Sequence, residues 1–226
     1  RQKKNCFANL MRLSHNASRY AVGVEGNVSC RFGNGLYIKI SGRSLRAAIE
    51  SDFIFCDIDG NHDSDGPKPS MEVKFHTWFY QNTTCNFVMH THPTETMKVL
   101  CSYMAHEFAT ERMFPDQVVF NGERSCLIDY LHPGEELSHG IANRVMEYRK
   151  DHGADPKLIL LKNHGIITIG NTIDDCIISA DICEKSAAIF IGSSSGRAYL
   201  SEREIKRLIN DDDEKHRQAV GGVCCR

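Results

Sequence analysis

Apolar residues recur along this chain at two different rhythms. Spacings of three and four residues predict helices. They run over residues 1–20, where Phe7, Leu10, Met11 and His15 share a side, and over 71–80, with Glu72, Phe75, His76 and Phe79. Three more follow at 94–108 (Met97, Leu100, Cys101, Met104, Phe108), 135–149 (Leu137, Ile141, Val145, Tyr148) and 172–191 (Ile173, Cys176, Ile177, Ala180, Cys183, Ala187, Phe190), before a last one at 201–210. Ser70, Thr94 and Thr172 stand where helix caps belong. A short strand after Gly26-Asn27 and apolar runs at 36–40, 53–58, 86–90, 118–120, 126–130, 157–161 and 166–169 predict strands, with Asn34-Gly35 as a hairpin turn between the first two. Residues 59–69, rich in Gly, Asp and Pro, read as an exposed loop. Short strands interleaved with helices predict an α/β fold, a single domain over residues 1–210 with a central mixed, mostly antiparallel sheet flanked by helices. No internal repeat or interior linker divides it. The acidic run Asp211-Asp212-Asp213-Glu214 and the pair Gly221-Gly222 predict a polar C-terminal tail over 211–226.

The bulk properties narrow the function. At 226 residues, with 41% hydrophobic and 25% charged, the chain has an ordinary globular composition and enough length for a full core. A net charge of -2 supplies no basic field for nucleic acid. Ten cysteines include no CxxC pair, and several sit inside apolar stripes, which fits buried free thiols in a reducing compartment. Cys224 and Cys225 belong to a frayed end. No stretch has transmembrane length or signal-peptide character, so no membrane role is expected and the expected location is cytoplasmic.

Chemistry concentrates at Phe87-Val88-Met89-His90-Thr91-His92-Pro93. Strand side chains alternate with period two, so His90 and His92 leave one face together at a strand end, where two imidazoles can hold a transition metal. The best third ligand is His164, in the turn Asn163-His164-Gly165 between two apolar strands. A carboxylate at Glu72, placed in the first helical turn after Ser70, completes the group. Two loops suit an anion. Gly23-Val24-Glu25-Gly26-Asn27 offers turned backbone N–H groups, and Ser41-Gly42-Arg43-Ser44 offers hydroxyl, flexible backbone and guanidinium, as a phosphate monoester requires.

These marks, in order, carry a resemblance. Gly26-Asn27-Val28-Ser29, Ser41-Gly42, Pro69-Ser70-Met71-Glu72 with Phe75-His76, His90-Thr91-His92-Pro93 and Asn163-His164-Gly165 make the chain resemble the class II aldolase/adducin family, in plan the fuculose- and rhamnulose-phosphate aldolases. The resemblance implies that His90, His92 and His164 bind Zn2+, that Glu72 is the catalytic carboxylate, and that Asn27, Ser41, Gly42 and Ser70 form a phosphate pocket to which Arg43 contributes. Met71 replaces one pocket hydroxyl. The implied reaction cleaves a phosphorylated ketose, a ketose 1-phosphate, to dihydroxyacetone phosphate and an aldehyde through a metal-stabilised enediolate. The matching region has no tyrosine for the outer acid, and Asp116 or Tyr130 stands in for it. Sugar-acid phosphate decarboxylation and pentulose-phosphate 4-epimerisation use the same site. A homotetramer is implied, with a small phosphorylated sugar as the partner. An HxHP isopeptidase lacks its downstream Asp here, a zinc deaminase lacks its PCxxC, and an adducin-like binding module would lack the histidines.

Overall fold

A computed structural model describes residues 1–221. Among these residues one seven-stranded sheet runs in the order β3-β2-β1-β4-β7-β6-β5. Its strands are β1 Asn27–Phe32, β2 Gly35–Lys39, β3 Phe53–Asp57, β4 Phe87–Thr91, β5 Cys126–Ile128, β6 Leu158–Leu161 and β7 Gly165–Gly170. Every pairing is antiparallel except β5 with β6.

Helices α1 Gln2–Ala17, α3 Thr94–Leu100, α4 Ala105–Thr110 and α7 Ile173–Gly192 supply one face of the sheet, and α2 Val73–Asn82 and α6 Glu135–His152 the other. The faces follow the strand period. In β4, Phe87 and Met89 join the α1/α7 core, while Val88 joins Phe75 and Phe79 of α2. His90 therefore falls on the α2 side. Of the remaining helices, α5 Pro115–Asn121, α8 Glu202–Asn210 and α9 Asp212–Gly221, α5 packs on α7, and α8 and α9 pack on α5 and on each other.

Several expectations change. Residues 118–120 are helical, inside α5, because Pro115 pre-sets the first turn and Gly122 at φ 82 ends it. The strand-like pair Val118-Val119 is simply buried. The helix over 94–108 breaks after Leu100, where the Ser102 hydroxyl bonds Val99 O and accepts from Met104 N–H, replacing helical backbone bonds. Pro93, not Thr94, is its N-cap, and the Glu184 carboxylate accepts from the free N–H groups of Glu95 and Thr96. The acidic run, largely exposed, opens helix α9. That helix docks on α5 through Arg217, 2.6 Å from Asp116, and through Gln218, which donates to Val119 O. Gly222, Cys224 and Cys225 lie outside the described residues.

Candidate functional site

Antiparallel pairing gathers the predicted residues at one end of the sheet. β1 begins with Asn27 directly opposite His90 near the end of β4. β4 ends opposite the start of β7, with Thr91 against Ile166. The turn joining β6 to β7 carries His164 to the same place, with Asn163 at φ 56. Gly165 makes this closeness feasible. A Cβ there would lie 2.5 Å from Thr91 O and from His92 Cδ2, and 3.2 Å from His90 Cε1.

One nitrogen from each of His90, His92 and His164 lies within 4.8 Å of the other two, and His92 Nε2 is 3.1 Å from His90 Nε2. His90 Nδ1 lies 2.8 Å from Ile166 O, a carbonyl that can only accept, so Nδ1 carries the proton and Nε2 presents a lone pair to the cluster. Burial pulls the His90 imidazolium down to about 4, against the pull of Glu72, and burial likewise lowers His92. Both are neutral imidazoles at neutral pH. Three converging imidazoles, His90 buried and His92 and His164 partly so, are a donor set that suits a divalent transition metal. Glu25, missed by the sequence reading, sits with Oε2 3.4 Å from His92 Nδ1 and orients that ring from outside. Its only sequence signal was its place between Gly23 and Gly26.

Glu72 is the N-cap of α2, one residue before the helix, because Ser70 makes its own turn: Ser70 O accepts from Val73 N–H, and Ser70 Oγ from Glu72 N–H. The carboxylate caps nothing in the helix. It reaches across to the histidines, with Oε2 3.3 Å from His90 Nε2 and Oε1 3.2 Å from His164 Nε2. Burial alone would raise its pKa, but the fields of His90 and His164 and the Asn27 amide overcome it and hold the carboxylate well below its ordinary range.

A hydrogen-bonded chain stands behind Glu72. Burial holds His76 down to about 3, so it is neutral with a single N–H. Its Nε2 lies 2.5 Å from Asn27 Oδ1, which can only accept, so Nε2 is the donor and Nδ1 accepts from Ser29 Oγ at 2.6 Å. Tyr80 then donates to Ser29 Oγ at 2.7 Å. Asn27, oriented at one end by His76, donates from Nδ2 to Glu72 Oε2 at 2.8 Å. Ser29 and Tyr80 carried no mark in the sequence beyond helical and strand periodicity.

A cleft of about 190 Å³ opens beside Glu72, with Asn27, Ser41, Gly42 and Ser70 in its wall and Met71 largely exposed. Lys39 also lines it, and Arg43 does not: the Arg43 guanidinium lies 3.5 Å from Asp52 and is mostly exposed. The signal for Lys39 was a lone cation inside the apolar strand 36–40. Tyr130 is half exposed, two residues beyond β5. β5 ends alongside β6, and Lys162 N–H bonds Ile128 O, so Tyr130 emerges at the His164 end of the sheet. Asp116 is engaged with Arg217 and touches none of the histidines.

This chain belongs to the class II aldolase and adducin family, since the model of the Class II Aldolase and Adducin N-terminal domain matches residues 6–191. An L-fuculose phosphate aldolase of Methanococcus maripaludis is 30% identical over 173 residues, covering 76% of this chain and 87% of that one. A 3-oxo-tetronate 4-phosphate decarboxylase of Escherichia coli is 29% identical over 192 residues, covering 84% and 87%. Among solved structures, YgbL of Escherichia coli superposes with a TM-score of 0.77 at 24% identity over 92% of this chain and 99% of that chain. An L-fuculose 1-phosphate aldolase gives 0.75 at 20% over 90% and 94%. At these identities the superpositions speak for the fold. No helix among the described residues is long and apolar enough to cross a membrane.

Proposed function

We propose that the protein is a metal-dependent aldolase that cleaves a ketose 1-phosphate to dihydroxyacetone phosphate and an aldehyde. The observation that carries this reading is the Glu72 carboxylate, 3.3 Å from His90 and 3.2 Å from His164, at the mouth of a cleft walled by Ser41, Gly42 and Ser70. His90, His92 and His164 would hold the ion, zinc by their chemistry. Such a dication supplies Lewis acidity, drawing negative charge away from substrate oxygens beside the bond that breaks. Glu72 moves the proton between oxygen and carbon. Asn27, through His76, Ser29 and Tyr80, keeps that carboxylate aimed. Ser41, Gly42 and Ser70 receive the phosphate. Tyr130 or Asp116 delivers a proton to the departing aldehyde, from the same subunit or a neighbour in a homotetramer. Tyr130 is the better placed, because Asp116 is already paired with Arg217. The free thiols at Cys56, Cys85, Cys126, Cys176 and Cys183, all buried, fit a cytoplasmic enzyme.

Glu72→Gln tests the carboxylate, because it keeps the volume and removes the base. Turnover is expected to fall at least about 10²-fold while folding and bound metal are kept. A variant with full metal content and turnover within about threefold, a barrier change under 1 kcal/mol, would leave Glu72 a structural residue. A second reading is favoured by the relative that decarboxylates 3-oxo-tetronate 4-phosphate. Loss of carbon dioxide from a sugar-acid phosphate develops charge at the same carbon and would use the same groups.

A further inference from the structure

We propose that Cys6 of α1 and Cys30 of β1 form a redox site, a dithiol that a small peptide disulfide converts reversibly into a bridge stapling the first helix to the sheet. The two sulfurs lie 3.0 Å apart, although the residues are 24 positions apart in the chain. A disulfide bond is about 2.05 Å long, so roughly 1 Å of approach separates the thiols from the bridge. Packing holds the pair in place. The ring of Phe7, next to Cys6, lies 4.8 Å from that of Tyr37 on β2, and both cysteines belong to the core that α1 shares with the sheet. Cys176 and Cys183, by contrast, have oxygen atoms as their sulfur partners.

Access comes from a cleft of about 510 Å³ with Cys6 and Cys30 both in its wall. It lies at the end of the sheet away from the histidines, where β4 begins and β7 ends. Cys56, Cys126, Cys176 and Cys183 have no exposed surface by comparison. Asn5, Asn9, Asn86 and Asn171 line the same cleft. Their carboxamides are donors and acceptors of the kind that a small peptide needs. The hydrogen bond between the sulfurs lowers the pKa of Cys6, against the opposing effect of burial, and raises that of Cys30. Cys6 therefore attacks first, since the thiolate is the nucleophile. Its sulfur bonds to one sulfur of the small disulfide RSSR, whose S–S bond breaks, and the departing RS⁻ takes the Cys6 proton. The Cys30 thiolate then attacks the Cys6 sulfur, and the second RS⁻ leaves with the Cys30 proton. The protein dithiol loses two electrons, and RSSR gains them as two RSH. The bridge restricts the unfolded chain between α1 and β1, and so stabilises the fold around the strand that carries Asn27 and Ser29. In a reducing compartment the thiols persist, and the bridge forms when the thiol–disulfide balance shifts toward oxidant.

Peptide mapping of the folded full chain after exposure to oxidised glutathione provides the test. Exchange is stopped with acid and the chain is unfolded in the presence of an alkylating maleimide. Trypsin then releases Cys6 in residues 5–12 and Cys30 in residues 20–31, each without another cysteine. The two peptides should be recovered mainly as one disulfide-linked pair, which dithiothreitol separates. The melting temperature of the oxidised protein should rise by at least about 4 °C, and the rise should vanish in Cys6→Ser and in Cys30→Ser. If neither variant folds, oxidised and dithiothreitol-treated wild type carry the comparison. Recovery of the two peptides as alkylated thiols, or as separate glutathione adducts, overturns the proposal. So does a linked pair with no rise in melting temperature, or a rise that persists in either folded variant.

Discussion

Two buried polar residues show how single side chains fix this molecule. His76 is neutral because burial holds it down to about 3, against an ordinary value near 6.5. Between those pH values the unfolded chain binds a proton at His76 that the folded chain refuses. Stability therefore rises with pH across the window from about 3 to 6.5 and falls as acid is added. The melting temperature should drop between pH 7 and pH 5 in wild type and drop less steeply in His76→Gln. Equal slopes would mean that His76 is not the buried neutral link in the chain to Glu72. Arg112 is the second case. It is fully buried and holds Gly122 O at 2.8 Å, Glu111 O at 2.9 Å and Ser125 Oγ at 3.0 Å, with no carboxylate among its partners. Arg112→Leu leaves those acceptors unsatisfied, and urea denaturation should show a loss of roughly 2–4 kcal/mol. A loss under about 1 kcal/mol would mean that water or a local shift replaces the guanidinium.

At the scale of elements, the residues gathered at strand ends were legible, and the exact start of helix α2 was not. His90 and His92 could be placed because period two leaves no choice of face, and His164 because a polar turn interrupts two apolar strands. Glu72 was found but set one step wrong. Ser70 looks like a helix cap, yet it forms a separate turn, and this shift is what frees the carboxylate from the helix end and points it at His90 and His164. Val118 and Val119 read as a strand because β-branched residues pattern alike wherever they are buried, and only Pro115 and Gly122 signalled α5. Glu25 left only the weak mark of its place between two glycines, because its partner His92 lies far along the chain. The turn from β6 to β7 yields its own prediction. Gly165→Ala would press a methyl group into Thr91 O and His92 Cδ2. Metal content after dialysis should fall at least about tenfold while the circular dichroism spectrum stays native, the scale on which disturbing a ligand's support acts. Full metal retention would show that the turn can yield without moving the histidines.

At the scale of the whole molecule, the monomer leaves large apolar and aromatic side chains bare, Val24 and Met71 of them lining the cleft. Val22, Val24, Met71 and Tyr130 are all exposed. A closed homotetramer would cover such side chains and bring a second subunit to the proton-delivery side. Light scattering at micromolar concentration should give four times the 25.5 kDa chain mass. A monomer mass would confine the outer acid to Tyr130 or Asp116 of the same chain. The central claim concerns the reaction, and product identification tests it most directly. Purified, zinc-loaded protein is incubated with a panel of ketose 1-phosphates, pentulose phosphates and sugar-acid phosphates. Dihydroxyacetone phosphate and an aldehyde should appear in equal amounts from a ketose 1-phosphate, and chelation should abolish both. Carbon dioxide from a sugar-acid phosphate, or an epimer formed without aldehyde, would contradict an aldolase and assign the same histidines and Glu72 to a different reaction.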